Sequence, residues 1–256
     1  SQWVGMGREL LRSEPVFRAA MEDCDAALKA FVDWSLLEVL ASSDAGWLER
    51  IDVVQPALFS MQVGLARLWR SWGITPDAVV GHSMGEVAAA HVAGALTLED
   101  AARIICRRSR LLLRTSGQGA MAVTELSLDE AREVLRGVED RLSVAASNSP
   151  RSTVLSGDPH ALQQVLETLT QRQVFCRPVK VNVASHSPQM EPLRAELLEL
   201  LDGLSPRASE VALHSTVLGR VAEGTELTPG YWVRNLREPV LLSQVVESLA
   251  GSGPWA

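Results

Sequence analysis

Residues 81–85 read GHSMG and place Ser83 between two glycines. Val79 and Val80 precede this motif, and such β-branched side chains are typical of a buried strand. A helix rich in alanine is predicted to begin after Glu86. Glycine on both sides permits a sharp turn that exposes a serine hydroxyl, and the N–H groups of the helix would point at any group bonded to it. Ser83 is therefore predicted to be a nucleophile.

A nucleophilic serine needs a base, and histidine is the side chain that most often serves. The sequence offers five histidines: His82, His91, His160, His186 and His214. His186 directly follows a predicted strand in VNVASHSPQM, where an inserted segment ends, and clefts form at such junctions. His186 is the preferred base, and His214 within an apolar strand is the second choice.

Arg108 lies in the segment CRRSR, on the same helical side as Ile104, Ile105 and Leu111. A buried arginine requires an anion, because an unpaired buried charge costs about 3–5 kcal/mol. Either a structural carboxylate or the carboxylate of a substrate could supply that anion. A guanidinium binds carboxylates through two parallel hydrogen bonds, so an acyltransferase for dicarboxylic half-thioesters would use it, whereas an esterase for neutral acyl groups would not.

Composition excludes several classes of partner. A net charge of −7 without a Lys/Arg cluster argues against nucleic acid, and the lack of a long apolar run argues against a membrane span. The three cysteines are odd in number and lack CxxC spacing, so neither a disulfide framework nor a metal site is expected. With no signal-peptide layout at the N-terminus, we expect a cytoplasmic protein.

Two regions with different patterns are predicted within the 256 residues. Residues 119–182 alternate strand and helix in the order βαββαβ, which is the ferredoxin-like arrangement. Residues 1–118 and 183–256 are predicted to form an α/β body. In that body, helices are expected over 5–30 with a break near Pro15, from about Pro56, and over 97–117. A further helical region over 185–204, one strand in VALHSTVLGRV and one helix in the tail after residue 230 complete the prediction.

Several motifs occur together and in order along the chain: QPALFSMQVGLARLWRSWG, GHSMGEVAAAHVAGAL, CRRSRLL, SNSPRSTVLSGD, VASHSPQM and YWVRNLREPV. In these motifs the sequence resembles the acyltransferase domain of modular type I polyketide synthases, a relative of malonyl-CoA:acyl-carrier-protein transacylases. The resemblance implies an α/β-hydrolase-like large subdomain with an inserted ferredoxin-like small subdomain.

The resemblance also implies roles for individual residues. Ser83 would carry the acyl group as an ester, His186 would be the base, and Arg108 would hold the free carboxylate of the extender unit. Asn148 in SNSP and Gln55 match family positions that support or line the pocket. The family usually begins with a strand and GQGSQW, whose first glutamine helps to form the oxyanion hole, whereas this sequence begins at SQW.

In such an enzyme, acyl-CoA is the donor and the phosphopantetheine thiol of an acyl carrier protein is the acceptor. The backbone N–H of Met84 would be one oxyanion donor. Neighbouring ketosynthase and other synthase domains are the expected partners, and neither a metal nor a bound cofactor is needed. Two positions bear on the extender unit. Ser185 in VASH leaves room for a branch, as in methylmalonyl selectors, while Met84 is commoner in malonyl selectors, so both remain open with a lean towards malonyl.

Two alternatives remain at this stage. An esterase or thioesterase of the α/β-hydrolase type would use Ser83, Asp202 and His214, in the chain order of that fold. The predicted inserted unit and Arg108 count against it. A non-catalytic docking domain of a larger synthase is the second alternative, and the set of Ser83, Arg108 and His186 counts against that one.

Overall fold

The computed structural model describes residues 2–181 and 183–251. Ser1, Asn182 and residues 252–256 lie outside the described part, so the predicted subdomain limits at residues 1, 182 and 256 fall on residues that are not described. Within the described ranges, no helix combines the length and the apolar character needed to cross a membrane.

Helices form most of the regular structure. They are α1 (Arg8–Ser13), α2 (Pro15–Leu28), α3 (Leu36–Ala41), α4 (Ile51–Ser71), α5 (Gly85–Val92), α6 (Leu98–Leu112), α7 (Leu128–Val134), α8 (Pro159–Gln171), α9 (Arg194–Leu200), α10 (Pro229–Arg237) and α11 (Leu242–Gly251). The predicted break between α1 and α2 is confirmed, since Pro15 is the first residue of α2.

The strands form two sheets. They are β1 (Ala78–Val80), β2 (Ala120–Thr124), β3 (Leu142–Ser149), β4 (Ser152–Gly157), β5 (Cys176–Val179), β6 (Ala212–Ser215) and β7 (Arg220–Ala222). One sheet has the order β1-β6-β7, and the other has the order β3-β4-β2-β5. The strand and the helix predicted on either side of Ser83 are confirmed as β1 and α5. The predicted burial of the strand is wrong, since Val79 is only half-buried and Val80 is 39% exposed.

The described residues fold into two compact units. The first unit runs to Arg110 and includes Leu200–Leu213 and Ala222–Thr228, and the second unit takes in Leu111–Glu199, His214–Val221 and the residues from Pro229 onward. Residues 183–199 belong to the second unit. The insertion of a small subdomain over 119–182 stays a prediction.

In the first unit, α2 and α4 pack closely against each other. Phe17 and Met21 of α2 and Phe59 of α4 are fully buried. A side chain on Gly64 of α4 would begin only 2.7 Å from the Phe17 ring, so the absence of one permits this close approach. The core of the first unit thus fixes the position of α4, which carries Gln55.

The second unit contains a four-stranded antiparallel sheet. Strand β2 is central: Ala122 pairs with Leu155 of β4 on one side and with Pro178 of β5 on the other. Helices α7 and α8 bury their apolar faces with this sheet, in a cluster that includes Leu135, Leu142 and Leu162. β5 lies at the edge of the sheet, where a proline can be accommodated.

The start of α4 differs from the prediction. The helix begins at Ile51, and Pro56 lies inside it rather than at its first turn. Pro56 cannot donate to the carbonyl of Asp52, but Val53 and Val54 are buried in the preceding turn, and this packing outweighs the lost hydrogen bond. Gln55 is consequently on the helix.

Two predictions near the C-terminus are also wrong. The expected single strand is two strands, β6 and β7, because the chain turns at Gly219, whose φ of 68° suits glycine. The expected single tail helix is two helices, α10 and α11. Pro239 follows α10 after one residue, and Val240 bonds to β3 through Ala145 and Ser147 instead of continuing the helix.

Candidate active site

Ser83 lies in the turn between β1 and α5. Its φ is 54°, in the left-handed region that non-glycine residues seldom occupy. Within the described ranges, only two other non-glycine residues have positive φ, namely Gln173 and His186. Such a conformation costs roughly 1–3 kcal/mol and persists where the surrounding structure enforces it, as at active sites.

The two glycines of the motif have unequal importance for the turn. A Cβ on Gly81 would come within 2.2 Å of the backbone nitrogen of Glu86, which is far inside van der Waals contact. A Cβ on Gly85 would only reach 3.8 Å from Nε2 of Gln62. Close packing of the strand end on the first turn of α5 therefore requires Gly81, whereas a Cβ at position 85 would have room.

Arg108 of α6 contacts the candidate nucleophile directly. Its Nη2 donates to Oγ of Ser83 at 3.0 Å, and its Nη1 donates to Oε1 of Gln55 at 3.0 Å. The residue is 1% exposed, so the predicted burial of Arg108 beside Ile104 and Ile105 is confirmed. Among the described residues, Arg108 Nε has no hydrogen-bond partner.

The charge of this arginine is only partly compensated. Burial lowers the pKa of Arg108 to about 10, and the negative charge of Glu86 opposes that shift. A group with this pKa is protonated at neutral pH. Glu86 is itself 1% exposed, one helical turn after Ser83. Glu86 was not among the predicted site residues, although it is the acidic residue in the first turn of an alanine-rich helix.

Met84 occupies the N-cap position of α5, where its backbone N–H is one of the donors that a helix leaves unpaired at its start. Its side chain lines a cavity of about 670 Å³, together with β1 and with Leu58 and Gln62 of α4. Among the described helices, α4 and α5 are the ones that contribute to this lining.

His186 lies in a turn of the second unit and is 4% exposed. Its φ of 61° is also left-handed. Nδ1 lies 2.8 Å from the carbonyl oxygen of Glu238, and its backbone N–H donates to the carbonyl of Leu236 at 3.2 Å. Ser143 Oγ donates to the His186 carbonyl at 2.6 Å. A carbonyl only accepts, so Nδ1 carries the hydrogen and Nε2 is left as the basic nitrogen.

The other predicted residues of the second unit lie around this turn or on β3. The carbonyl of Ser185 accepts from Ser156 Oγ at 2.8 Å. Asn148 is near the end of β3, where the pairing with β4 shifts between Ser147 and Ser149. Bulges of this kind redirect side chains and are frequent beside active sites.

Of the remaining histidines, His82 and His160 are exposed, and His91 and His214 have environments that fit packing. His91 Nδ1 lies 3.1 Å from the carbonyl of Leu96, and burial lowers its pKa. His214 on β6 is 5% exposed; burial lowers its pKa, and its Nδ1 has no hydrogen-bond partner in the described part of the chain. That part also contains no cluster of three or more His, Cys, Asp or Glu side chains able to hold a metal.

Comparison with known proteins identifies the family. The family model described as acyl transferase domain matches residues 1–256. The chain belongs to the acyl transferase domain family. Erythronolide synthase EryA2 of Saccharopolyspora erythraea is 52% identical over 254 residues, which cover 99% of this chain and 7% of that synthase. The chain thus spans a small part of the polyketide synthases it matches.

Solved structures agree with this assignment. The acyltransferase domain from module 8 of the salinomycin polyketide synthase superposes with a TM-score of 0.95 at 45% identity, over 99% of this chain and 60% of that one. A malonyl-transacylase in complex with a type II acyl-carrier protein gives a TM-score of 0.86 at 26% identity, over 97% and 82%. The fold is thus the α/β fold of these acyltransferases, and acyl transfer is favoured over the esterase alternative.

Within this acyltransferase, the sequence predictions fall into two groups. In the first unit, Arg108 forms hydrogen bonds to both Ser83 and Gln55. Ser185 and His186 share one turn in the second unit. The main-chain carbonyl of Glu238, which fixes the His186 ring, was not predicted, because no side chain signals such a contact in the sequence.

Proposed function

We propose that this acyltransferase loads a malonyl-class group from CoA onto the phosphopantetheine thiol of an acyl carrier protein, through an ester on Ser83. The observation that carries the proposal is the hydrogen bond from a fully buried guanidinium to Oγ of Ser83. The left-handed backbone of Ser83 is a second, independent support.

In the proposed first half-reaction, His186 Nε2 takes the proton of Ser83 while Oγ attacks the thioester carbon. The C–O bond forms, the C–S bond breaks, and the sulfur of CoA leaves with the proton from His186. In the second half-reaction the carrier thiol gives its proton to His186 and attacks the ester. Its C–S bond replaces the C–O bond, and Ser83 recovers its proton.

The negative oxygen of each tetrahedral intermediate needs hydrogen-bond donors. We assign one of them to the backbone N–H of Met84, at the start of α5. The partial positive charge at a helix N-terminus adds to this stabilisation. The loss of one such donor typically costs about 2.7–4 kcal/mol of activation free energy.

Arg108 would select donors that carry a second carboxylate. Because its Nη2 touches the attacking oxygen, a carboxylate held by the guanidinium must lie close to the attacked carbon. Malonyl-type thioesters, with one carbon between the two groups, satisfy this requirement better than longer diacids. Met84, Ser185 and Asn148 are proposed to line the acyl pocket, and malonyl remains slightly favoured over methylmalonyl.

The wider setting belongs to the same proposal. We expect neighbouring ketosynthase and other synthase domains as partners, no bound cofactor, and a cytoplasmic location. We also propose an α/β-hydrolase-like large subdomain with a ferredoxin-like insertion over 119–182. The order β3-β4-β2-β5, with α7 after β2 and α8 after β4, supports the ferredoxin-like part.

The decisive experiment is the intact mass of the protein after separate incubation with malonyl-CoA, methylmalonyl-CoA and acetyl-CoA. An adduct with a malonyl-class donor is expected in the parent protein and in Ser116→Ala, an exposed serine outside the site, but not in Ser83→Ala. Holo carrier protein should then remove the adduct with transfer of the acyl group. Absence of any adduct, or an adduct that survives in Ser83→Ala, would disprove the proposal.

A further inference from the structure

We propose that Gln55 is the positioning residue that makes Arg108 selective for carboxylate-bearing donors: a neutral tether that orients the guanidinium without neutralising it. This inference rests on the proposed function and concerns the same site. It differs from the sequence-based assignment of Gln55 as a residue that lines the pocket, because here Gln55 acts through Arg108.

The hydrogen-bond pattern of Arg108 supports a division of its donors. A guanidinium has five N–H donors in one plane, arranged along two edges that fit a carboxylate. Gln55 Oε1 accepts from Nη1, which is not part of the edge formed by Nε and Nη2. That edge contains Nε, which has no partner among the described residues, and Nη2, whose acceptor is the hydroxyl of Ser83. The edge beside the nucleophile thus remains available to a carboxylate.

The chemical type of Gln55 matters as much as its position. An amide oxygen accepts a hydrogen bond but carries no net charge, so Gln55 does not reduce the attraction of the guanidinium for an incoming anion. Arg108 forms no ion pair among the described residues, and the acidic residue that acts on it is Glu86. A carboxylate at position 55 would instead form an internal ion pair with Arg108 and compete with the donor.

Helix α4 makes this tether rigid. Gln55 lies within α4, directly before Pro56, in a turn where Val53 and Val54 are buried. The ring of Pro56 fixes its own φ and restricts the backbone of the residue before it. The Gln55 side chain therefore starts from a fixed point, and the guanidinium is oriented before the donor arrives.

The test compares kcat and KM of malonyl-CoA and acetyl-CoA transfer to pantetheine in the parent, Gln55→Glu and Gln55→Met. Gln55→Glu keeps the shape but adds the charge, and should lower kcat/KM for malonyl-CoA about thirtyfold, equal to about 2 kcal/mol, mostly through KM. Acetyl-CoA transfer should change less than about threefold. Gln55→Met removes the tether without adding charge and should give a smaller loss for malonyl-CoA alone.

Gln164→Glu is the control: it adds the same charge on the exposed face of α8, in the second unit, and should leave kcat/KM for both donors unchanged. Equal losses for malonyl-CoA and acetyl-CoA in Gln55→Glu would overturn the inference, and so would unchanged malonyl-CoA kinetics. A parent protein that transfers no malonyl group would instead contradict the proposed function, so the two failures are distinguishable.

Discussion

Ser83 and His186 share a left-handed backbone, but the two units hold these residues by different means. In the first unit, the side chain of Arg108 bonds to Ser83, and Gln55 in turn bonds to Arg108. In the second unit, the ring and the N–H of His186 both bond to main-chain carbonyls, those of Glu238 and Leu236. Ser83 is thus held by hydrogen bonds from side chains, whereas His186 is held mainly by hydrogen bonds to the main chain.

This difference predicts which substitutions should lower the activity. Side-chain support fails when the residue type changes, because charge and donor geometry are lost. Main-chain support survives most substitutions of the residue that provides the carbonyl, provided that the backbone stays in place. Substitutions of Arg108 and of Glu238 should therefore have very different effects, although both residues lie in direct contact with a candidate catalytic residue.

The largest loss of activity is expected from substitutions of the nucleophile and the base themselves. Ser83→Ala and His186→Ala should each lower the acylation rate by at least about a thousandfold, because nucleophile and base act as a unit. Rapid-quench intact mass with malonyl-CoA measures this rate, and Ser116→Ala provides the control. A His186→Ala protein that acylates within tenfold of the parent rate would show that another group removes the proton.

Arg108→Ala should have the next largest effect. The loss of two charge-assisted hydrogen bonds to a carboxylate predicts a fall in kcat/KM for malonyl-CoA of about a hundredfold or more. Acetyl-CoA, which lacks the second carboxylate, should be transferred as well as before or better. Arg110→Ala, on the exposed side of α6, is the matched control, and steady-state kinetics with both donors give the answer. An equal fall in kcat/KM for both donors would mean that Arg108 acts only on Ser83 and does not bind the carboxylate of the donor.

The turn itself can be tested through stability. Gly81→Ala should lower the free energy of unfolding by about 3 kcal/mol, because the new Cβ would lie 2.2 Å from the Glu86 nitrogen. Gly85→Ala should be neutral or stabilising by up to about 1 kcal/mol, since it lies in a helix with room for a methyl group. Urea unfolding of both variants compares them, and similar losses would contradict the packing described for Gly81.

The smallest effect is expected for Glu238→Gln. The side chain of Glu238 pairs with Arg234 on the surface, and such pairs contribute about 0.3–0.5 kcal/mol. Its carbonyl remains available to His186, so kcat for malonyl transfer should stay within about twofold of the parent. A tenfold loss would mean that the Glu238 side chain takes part in the reaction, and the contrast between the two regions would be wrong.

Sequence patterns predicted what depends on local chemistry. The strand, turn and helix around Ser83, and the buried side of Arg108, follow from residue types within one or two turns of the chain. Two of the predicted boundaries that failed involve proline, and the third lies at Gly219 between β6 and β7. Pro56 is tolerated inside α4 because Val53 and Val54 are buried in tertiary contacts. The end of α10 could have been predicted from the sequence, since Pro239 disfavours a helical conformation for the residue before it.

Contacts between distant residues could not be predicted in the same way. Gln55 and Arg108 lie on separate helices, and their hydrogen bond depends on how α4 and α6 pack. The carbonyl that holds His186 belongs to a residue 52 positions later, and a carbonyl is common to every residue type. Only the three-dimensional path of the chain identifies it.

The proline of β5 has a consequence for solubility. β5 ends the four-stranded sheet, and an exposed sheet edge can recruit a strand from another molecule. Pro178 lacks the N–H that an added strand would need, and Arg177 and Lys180 would repel the same edge of a second copy. Phe175 and Val179 are exposed nearby and would otherwise favour such pairing. The proline and the two positive charges thus disfavour aggregation through pairing of β5 with a strand of another molecule.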